Sequence, residues 1–165
     1  MKTIVVYFSV SGHTKDVGAM VAAEGNFNII PIVPQSSYTN DLIELEKRAG
    51  FEFDNNMLPK LDMEMKLFDS YSHIFLGTPV WFGNIAPAVK TFIHIANLRG
   101  KTIHPFFTCG GMPGASVNKM SECLADKSAV MTEPLMVKYS HIERLTEDAV
   151  IQRWVNNHKV KYHIS

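Results

Sequence analysis

Three stretches of this chain hold residue types that could do chemistry together: Ser9-Val10-Ser11-Gly12-His13-Thr14, Thr78-Pro79-Val80-Trp81-Phe82-Gly83-Asn84 and Thr108-Cys109-Gly110-Gly111-Met112-Pro113-Gly114. The first places Ser9, Ser11 and Thr14 around one glycine. Hydroxyls offer neutral donors, and Gly12 lets the main chain turn tightly and approach a ligand. A helix opening at Thr14 would add its free first-turn N–H groups and the positive end of its dipole, which together suit an anion and phosphate above all. The same residues also suit a plain helix cap. The stretch is no Walker loop, because no Gly-Lys-Thr or Gly-Lys-Ser follows, and it lacks the three glycines of a dinucleotide motif.

The second stretch sets Trp81 and Phe82 where polar turn residues are expected. Two readings fit: packing over a sheet edge, or a flat wall for a ring, with Gly83 offering an unhindered peptide group. The third has three glycines in five positions, Gly110, Gly111 and Gly114, which lets N–H groups converge on a ligand edge and is equally compatible with a structural turn. The seven histidines have no metal-ligand spacing and read as surface or core residues, so no metal site is expected. Cys109 reads as a small lining residue and Cys123 as helix core.

These stretches need elements to hold them. Ile4-Val5-Val6-Tyr7-Phe8 is apolar without alternation, the pattern of a strand buried on both faces inside a parallel sheet. It leads through the hydroxyl loop to a helix with Val17, Met20 and Val21 on one face. Phe27 to Val33 predicts a second strand, with Pro31 marking it as an edge. Asn40 or Thr39 caps a short charged helix from Asp41 to Arg48 that Gly50 ends. Asp62 to Phe68 predicts a helix with Met65 and Phe68 inward, and Ser72 to Gly77 a third strand. Pro87 opens a helix with Val89, Phe92, Ile93 and Ala96 inward. Thr102 to Thr108 predicts a fourth strand with a bulge or bend at Pro105. Ser116 caps a helix burying Val117, Met120, Cys123 and Leu124. Leu135 to Tyr139 gives a fifth strand, and Thr146 opens a last helix whose buried side is Val150, Ile151, Trp154 and Val155.

Strands alternating with helices predict a three-layer, doubly wound α/β fold, one domain over residues 1–165. In such a sheet, ligands sit beyond the carboxyl ends of the strands where strand order reverses, so all three stretches should open on one rim. Sixteen basic residues balance sixteen acidic ones, which argues against nucleic-acid binding and against charge-steered partners. No apolar run approaches the roughly 18 residues of a membrane span, and two cysteines make no disulfide framework, so a reducing, cytoplasmic setting is expected.

Taken in order and spacing, the three stretches resemble the FMN loops of the flavodoxin-like family. Tyr38-Thr39 and the Arg48 to Glu52 stretch are similar to its reductase branch. The resemblance implies a five-stranded parallel sheet of order 2-1-3-4-5 that binds FMN. It assigns Ser9, Val10, Ser11, Gly12, His13 and Thr14 to the phosphate. Pro79, Val80, Trp81, Phe82, Gly83 and Asn84 would flank the isoalloxazine, with Trp81, Phe82 and Gly83 nearest the ring and Gly83 the main-chain partner of flavin N5. Thr108, Cys109, Gly110, Gly111 and Gly114 would line the pyrimidine edge and ribityl chain. His13 stands where the family often has Asn. The chemistry implied is the flavin's own. The expected activity is two-electron reduction of a small quinone, nitro or azo acceptor, fed by NADPH, NADH or a partner reductase, with dimerisation left open. A one-electron carrier between redox proteins is the alternative, though such flavodoxins are strongly acidic and this chain is neutral. A cofactor-free binding scaffold is a third reading.

Overall fold

The computed structural model describes residues 2–165. In chain order its elements are β1 (Thr3–Tyr7), α1 (His13–Gly25), β2 (Asn28–Pro31), α2 (Leu42–Asp54), a 3₁₀ turn (Met65–Ser70), β3 (His73–Trp81), β4 (Asn84–Ile85), α3 (Pro87–Ile95), β5 (Thr102–Cys109), α4 (Ser116–Ala125), β6 (Val130–Met131), β7 (Leu135–Ser140), β8 (Glu143–Arg144) and α5 (Asp148–Tyr162). Five strands run parallel in the order β2-β1-β3-β5-β7, the order expected from sequence. Three two-residue strands extend this sheet beyond the five predicted. β4 pairs antiparallel with the end of β3, β6 lies parallel to the start of β5, and β8 pairs antiparallel with β7.

Strand residues alternate between two cores, as a period of two requires. Ile4, Val6, Ile74, Leu76, Ile103 and Phe107 pack with Val89 and Phe92 of α3 and Met120 and Leu124 of α4. Val5, Tyr7, Phe75, Phe106 and Val137 pack on the other face with Val17 and Val21 of α1 and Ile151, Trp154 and Val155 of α5. Each β1 residue is buried, so the missing alternation reflects cover on both faces. Among the described residues, no helix is long and apolar enough to cross a membrane.

Several local expectations are corrected. β2 is four residues long, but it is the edge strand that Pro31 predicted. α2 is capped by Asp41, whose carboxylate accepts the Glu44 N–H at 3.0 Å, and it runs through Gly50 to Asp54. Gly50 continues the helix, which carries Glu52 and Phe53 on to contacts with Tyr38 and Phe82. The 62–68 segment forms only the 3₁₀ turn, which still buries Phe68. β3 does not stop at Gly77 but continues through Trp81, because Val80 and Trp81 pair with Ile85 and Asn84. Pro105 makes no bulge: β5 keeps register with β3 straight through it. On its other side the pairing skips from Ile103, which pairs β6, to Phe106, which pairs β7, and Ile103 O accepts the Thr132 N–H. Pro105, two residues on, turns its missing donor toward that gap, where nothing needs it.

Neither Ser116 nor Thr146 caps its helix. Ser116 is the first residue of α4, fully buried, with a hydroxyl that has no partner. The Thr146 hydroxyl instead accepts the Lys138 N–H at 2.9 Å, and α5 starts two residues later. Val150 is 41% exposed, because the buried stripe of α5 turns past it to Ile151 and Trp154.

Candidate functional site

β1 and β3 are neighbours whose chain connections leave on opposite sides, so the crevice beyond their carboxyl ends is where a doubly wound sheet takes a ligand. The hydroxyl loop emerges from β1 there. Phe8 continues the pairing with an N–H donated to Gly77 O at 3.1 Å, and Gly12 turns the chain with φ +98° into α1. No side chain caps α1. The Ser9 hydroxyl accepts the Gly12 N–H at 3.1 Å, ahead of the helix, and the Thr14 hydroxyl is turned inward to share a proton with Thr108 at 2.7 Å. Asp16 is the first residue to donate into the helix, to Gly12 O at 2.9 Å, so the N–H groups of His13, Thr14 and Lys15 are the orphan donors of the first turn. The plain-cap reading of the hydroxyls therefore does not hold, and the first-turn N–H groups of α1 are left without protein partners.

His13 is fixed by a contact that the sequence did not announce. Its ring stacks on Tyr139 of β7 with centroids 4.0 Å apart and planes 12° from parallel, and the Tyr139 hydroxyl donates to His13 O at 3.2 Å. Val10 packs against the core below the loop.

The second stretch is a hairpin. Phe82 (φ +51°) and Gly83 (φ +66°) form the two-residue turn between β3 and β4, both left-handed, as a tight hairpin requires. Gly83 adopts this freely, but a phenylalanine does so at a cost, and Phe82 is 63% exposed, its ring resting edge-on against Phe53 of α2. The Thr78 hydroxyl accepts the Ala86 N–H at 3.1 Å and donates to Pro79 O at 2.9 Å, tying entry to exit. The Asn84 side chain accepts the Ile85 N–H at 2.9 Å. Trp81, half-buried, meets Phe8 edge to face at 5.5 Å and Tyr38 at 5.3 Å.

The third stretch lies beside the other two. Thr108 is level with Pro79 across the sheet and bonded to Thr14, so one residue touches both neighbouring segments. Gly114 packs so closely on the hairpin turn that a Cβ there would stand 2.5 Å from Gly83 Cα. Gly110 and Gly111 are exposed, and a Cβ on Gly111 would meet nothing within 4 Å. The Cys109 thiol donates to Gly111 O at 3.3 Å, and burial pushes its pKa up, so at neutral pH it is a thiol and not a nucleophilic thiolate.

The residues singled out in sequence thus lie on three adjacent segments at one end of the sheet. Reasoning from sequence missed Tyr139 and the contacts among Tyr38, Arg48 and Glu52, which join the site from β7 and α2. Between α2 and the end of β3 is a cavity of about 280 Å³ lined by Leu42, Leu45, Ala49, Val80, Trp81 and Phe82, with Glu46 its one charge. Among the described residues, no group of three or more His, Cys, Asp and Glu is arranged to hold a metal ion.

Comparisons with known proteins agree with this architecture. A family model described as flavodoxin matches residues 2–158. A protein of Bacteroides eggerthii described as a flavoprotein is similar in structure, with TM-score 0.79 at 26% identity over 94% of this chain and 96% of its own. A flavoprotein from Lactobacillus acidophilus, solved in complex with FMN, gives TM-score 0.73 at 22% identity over 93% and 97% of the two chains. Oxidised flavodoxin 2 from Bacillus cereus gives 0.67 at 14% identity over 98% and 99%. No curated protein matches in sequence.

Proposed function

The chain belongs to the flavodoxin family, and from that membership we propose that it binds FMN along its three adjoining segments and passes two electrons to a small acceptor of the quinone, nitro or azo type. The residues fit the group. An uncapped α1 with orphan first-turn donors suits a terminal phosphate, with the hydroxyls of Ser9 and Ser11 beside it and the helix dipole in place of a cationic side chain. Gly12, His13 and Thr14 supply the main chain of that cradle. Pro79, Val80, Trp81, Phe82, Gly83 and Asn84 would border the ring from β3, the hairpin turn and β4. Thr108, Cys109, Gly110, Gly111 and Gly114 would border its polar edge, where the glycines leave N–H groups uncovered by side chains.

Bound FMN supplies the redox chemistry, taking two electrons from a donor and giving them to an acceptor. The protein's part is to hold the phosphate, fix the ring against Trp81 and the hairpin, and keep water from it. The turn at Phe82 and Gly83 presents a main-chain group beside that ring, where a dipole shifts the reduction potential.

The choice of a small acceptor over a protein partner is carried by the cavity between α2 and the end of β3, apolar, open and next to the hairpin. Val80, Trp81 and Phe82 line both this cavity and the proposed ring site, so an acceptor held there would lie against the flavin. Equal numbers of acidic and basic residues leave no net field to steer a redox protein. The test is direct. Purified protein should be yellow, release FMN on denaturation, and oxidise NADPH or NADH rapidly when a quinone is added. Reduction only through a partner reductase, one electron at a time, would make it a carrier, and a colourless protein that ignores added FMN would make it a scaffold.

A further inference from the structure

Outside the proposed FMN contacts, a polar cluster joins α2 to the 36–38 loop beside Trp81. Glu52 of α2 is a carboxylate whose side chain is only 7% exposed, and both of its oxygens are engaged. One accepts the Tyr38 hydroxyl at 2.6 Å and the other accepts Arg48 Nε at 3.0 Å. The rest of the Arg48 guanidinium donates to Ser37 O at 2.8 Å and Ser36 O at 3.0 Å, and its centre lies 3.8 Å above the Tyr38 ring. A single arginine therefore joins α2, the 36–38 loop and an aromatic face.

A buried ion pair is weak support for stability, because desolvation takes back much of the attraction. Its geometric effect is larger. Tyr38 stands edge to face with Trp81 at 5.3 Å and with Phe8 at 5.4 Å, and Phe8 meets Trp81 at 5.5 Å, so three rings close a triangle. Phe8 ends at the hydroxyl loop and keeps a sheet bond to Gly77 O, and Trp81 ends β3, whereas Tyr38 comes from an irregular loop that the polar cluster ties to α2.

We propose that Arg48 and Glu52 are positioning residues that lock Tyr38 behind Trp81 and so set the orientation of the indole beside the flavin ring. The inference rests on the FMN reading for its consequence, though not for the lock itself. Tyr38 is not a proton donor in this arrangement. Burial, together with its bond to Glu52, pushes the phenol above its ordinary range, so it stays protonated and holds its bond.

The test uses protein labelled with fluorotryptophan, which has two fluorine resonances, one from Trp81 and one from Trp154. Trp81→Phe assigns them. Arg48→Ala and Tyr38→Ala should move and broaden the Trp81 resonance and leave that of Trp154 in place, and FMN binding should weaken by about tenfold as the wall loses its fixed geometry. Arg48→Lys, which keeps charge but not the fork, and Tyr38→Phe, which keeps the ring under the guanidinium but loses its bond to Glu52, should each give an intermediate shift. An unchanged Trp81 resonance in both alanine variants would overturn the lock. If the wild type fails to bind FMN, the cofactor reading falls, while the resonance shifts of the FMN-free protein still decide the lock.

Discussion

Replacing Gly114 by alanine tests whether the hairpin and the glycine loop act as one surface. Gly114 has φ +57°, and a Cβ there would stand 2.5 Å from Gly83 Cα, 2.9 Å from Gly83 O and 3.1 Å from Gly83 C. All three atoms are backbone, so no side chain can swing away. The left-handed conformation alone costs a non-glycine residue about 1–2 kcal/mol. Carbon atoms in contact prefer about 3.5–4.0 Å, so the two turns must part by about 1 Å, and overpacking of this kind adds about 1–3 kcal/mol. Both segments are loop tips and can splay, which relieves part of the overlap, puts the expected loss of stability at about 2–4 kcal/mol, and displaces the two turns that border the proposed ring site. Gly100 is the control: its φ is +73°, but a Cβ there would meet nothing within 4 Å. Gly100→Ala should lose only the conformational 1–2 kcal/mol, roughly, and leave FMN affinity unchanged. Gly114→Ala should lose more and bind FMN at least about tenfold more weakly, a difference of about 1.4 kcal/mol. Urea unfolding and FMN fluorescence titration measure the two quantities. Equal stability losses in the two variants, with FMN affinity held within about twofold, would refute the idea that close approach of these turns shapes the site.

Thr108→Val strands the Thr14 hydroxyl, which is 1% exposed, and should cost about 1–3 kcal/mol in urea unfolding. Adding Thr14→Val should recover part of that loss, and strict additivity across the double-mutant cycle would show the bond to be idle. His104 is fully buried, bonded to His73 at 3.1 Å and Thr132 at 3.0 Å, and burial, with His158 and His73 nearby, lowers its pKa from 6.5 to about 3. Below pH 6.5 the unfolded chain takes up a proton that folded His104 refuses, so stability falls as pH drops from 6.5 toward 3. At pH 5 the loss from this one group is about 2 kcal/mol, and His73 and His158, lowered in the same direction, add to it. His104→Asn should flatten the slope of stability against pH between 7.5 and 5, roughly, and an unchanged slope would remove His104 as its cause. Cys109, held as a thiol by burial, should react with iodoacetamide at neutral pH about tenfold more slowly in the folded protein than in urea, and equal rates would contradict that placement.

What could be read from sequence followed from how local its cause was. The run Ile4 to Phe8 and the strand–helix alternation make the doubly wound parallel sheet legible, because burial on both faces writes itself into consecutive residues, whereas the strand order came from the family resemblance. The three candidate ligand stretches were legible for a related reason, since glycines and hydroxyls after a buried strand, or paired aromatics at a turn, are odd residues for their places. The extent of β3 was not, because Pro79 resembles a loop residue, and it is the pairing of Val80 and Trp81 with residues across the turn that makes the segment a strand. Gly50 misled in the opposite sense, as a helix breaker by propensity, because the turn beyond it carries Glu52 and Phe53 to long-range contacts with Tyr38 and Phe82. Least visible were Tyr139 against His13 and the Tyr38, Arg48 and Glu52 set. Their partners stand 126 and up to 14 positions apart, and although the resemblance touches Tyr38 and the Arg48 to Glu52 stretch, no local pattern shows that they meet. These long-range contacts decide how rigidly the legible residues are held. The chemistry of the site is therefore written in short motifs, while its geometry depends on contacts that only the folded chain creates, and substitutions at Arg48 or Tyr139 should change ligand affinity more than their place outside the motifs suggests.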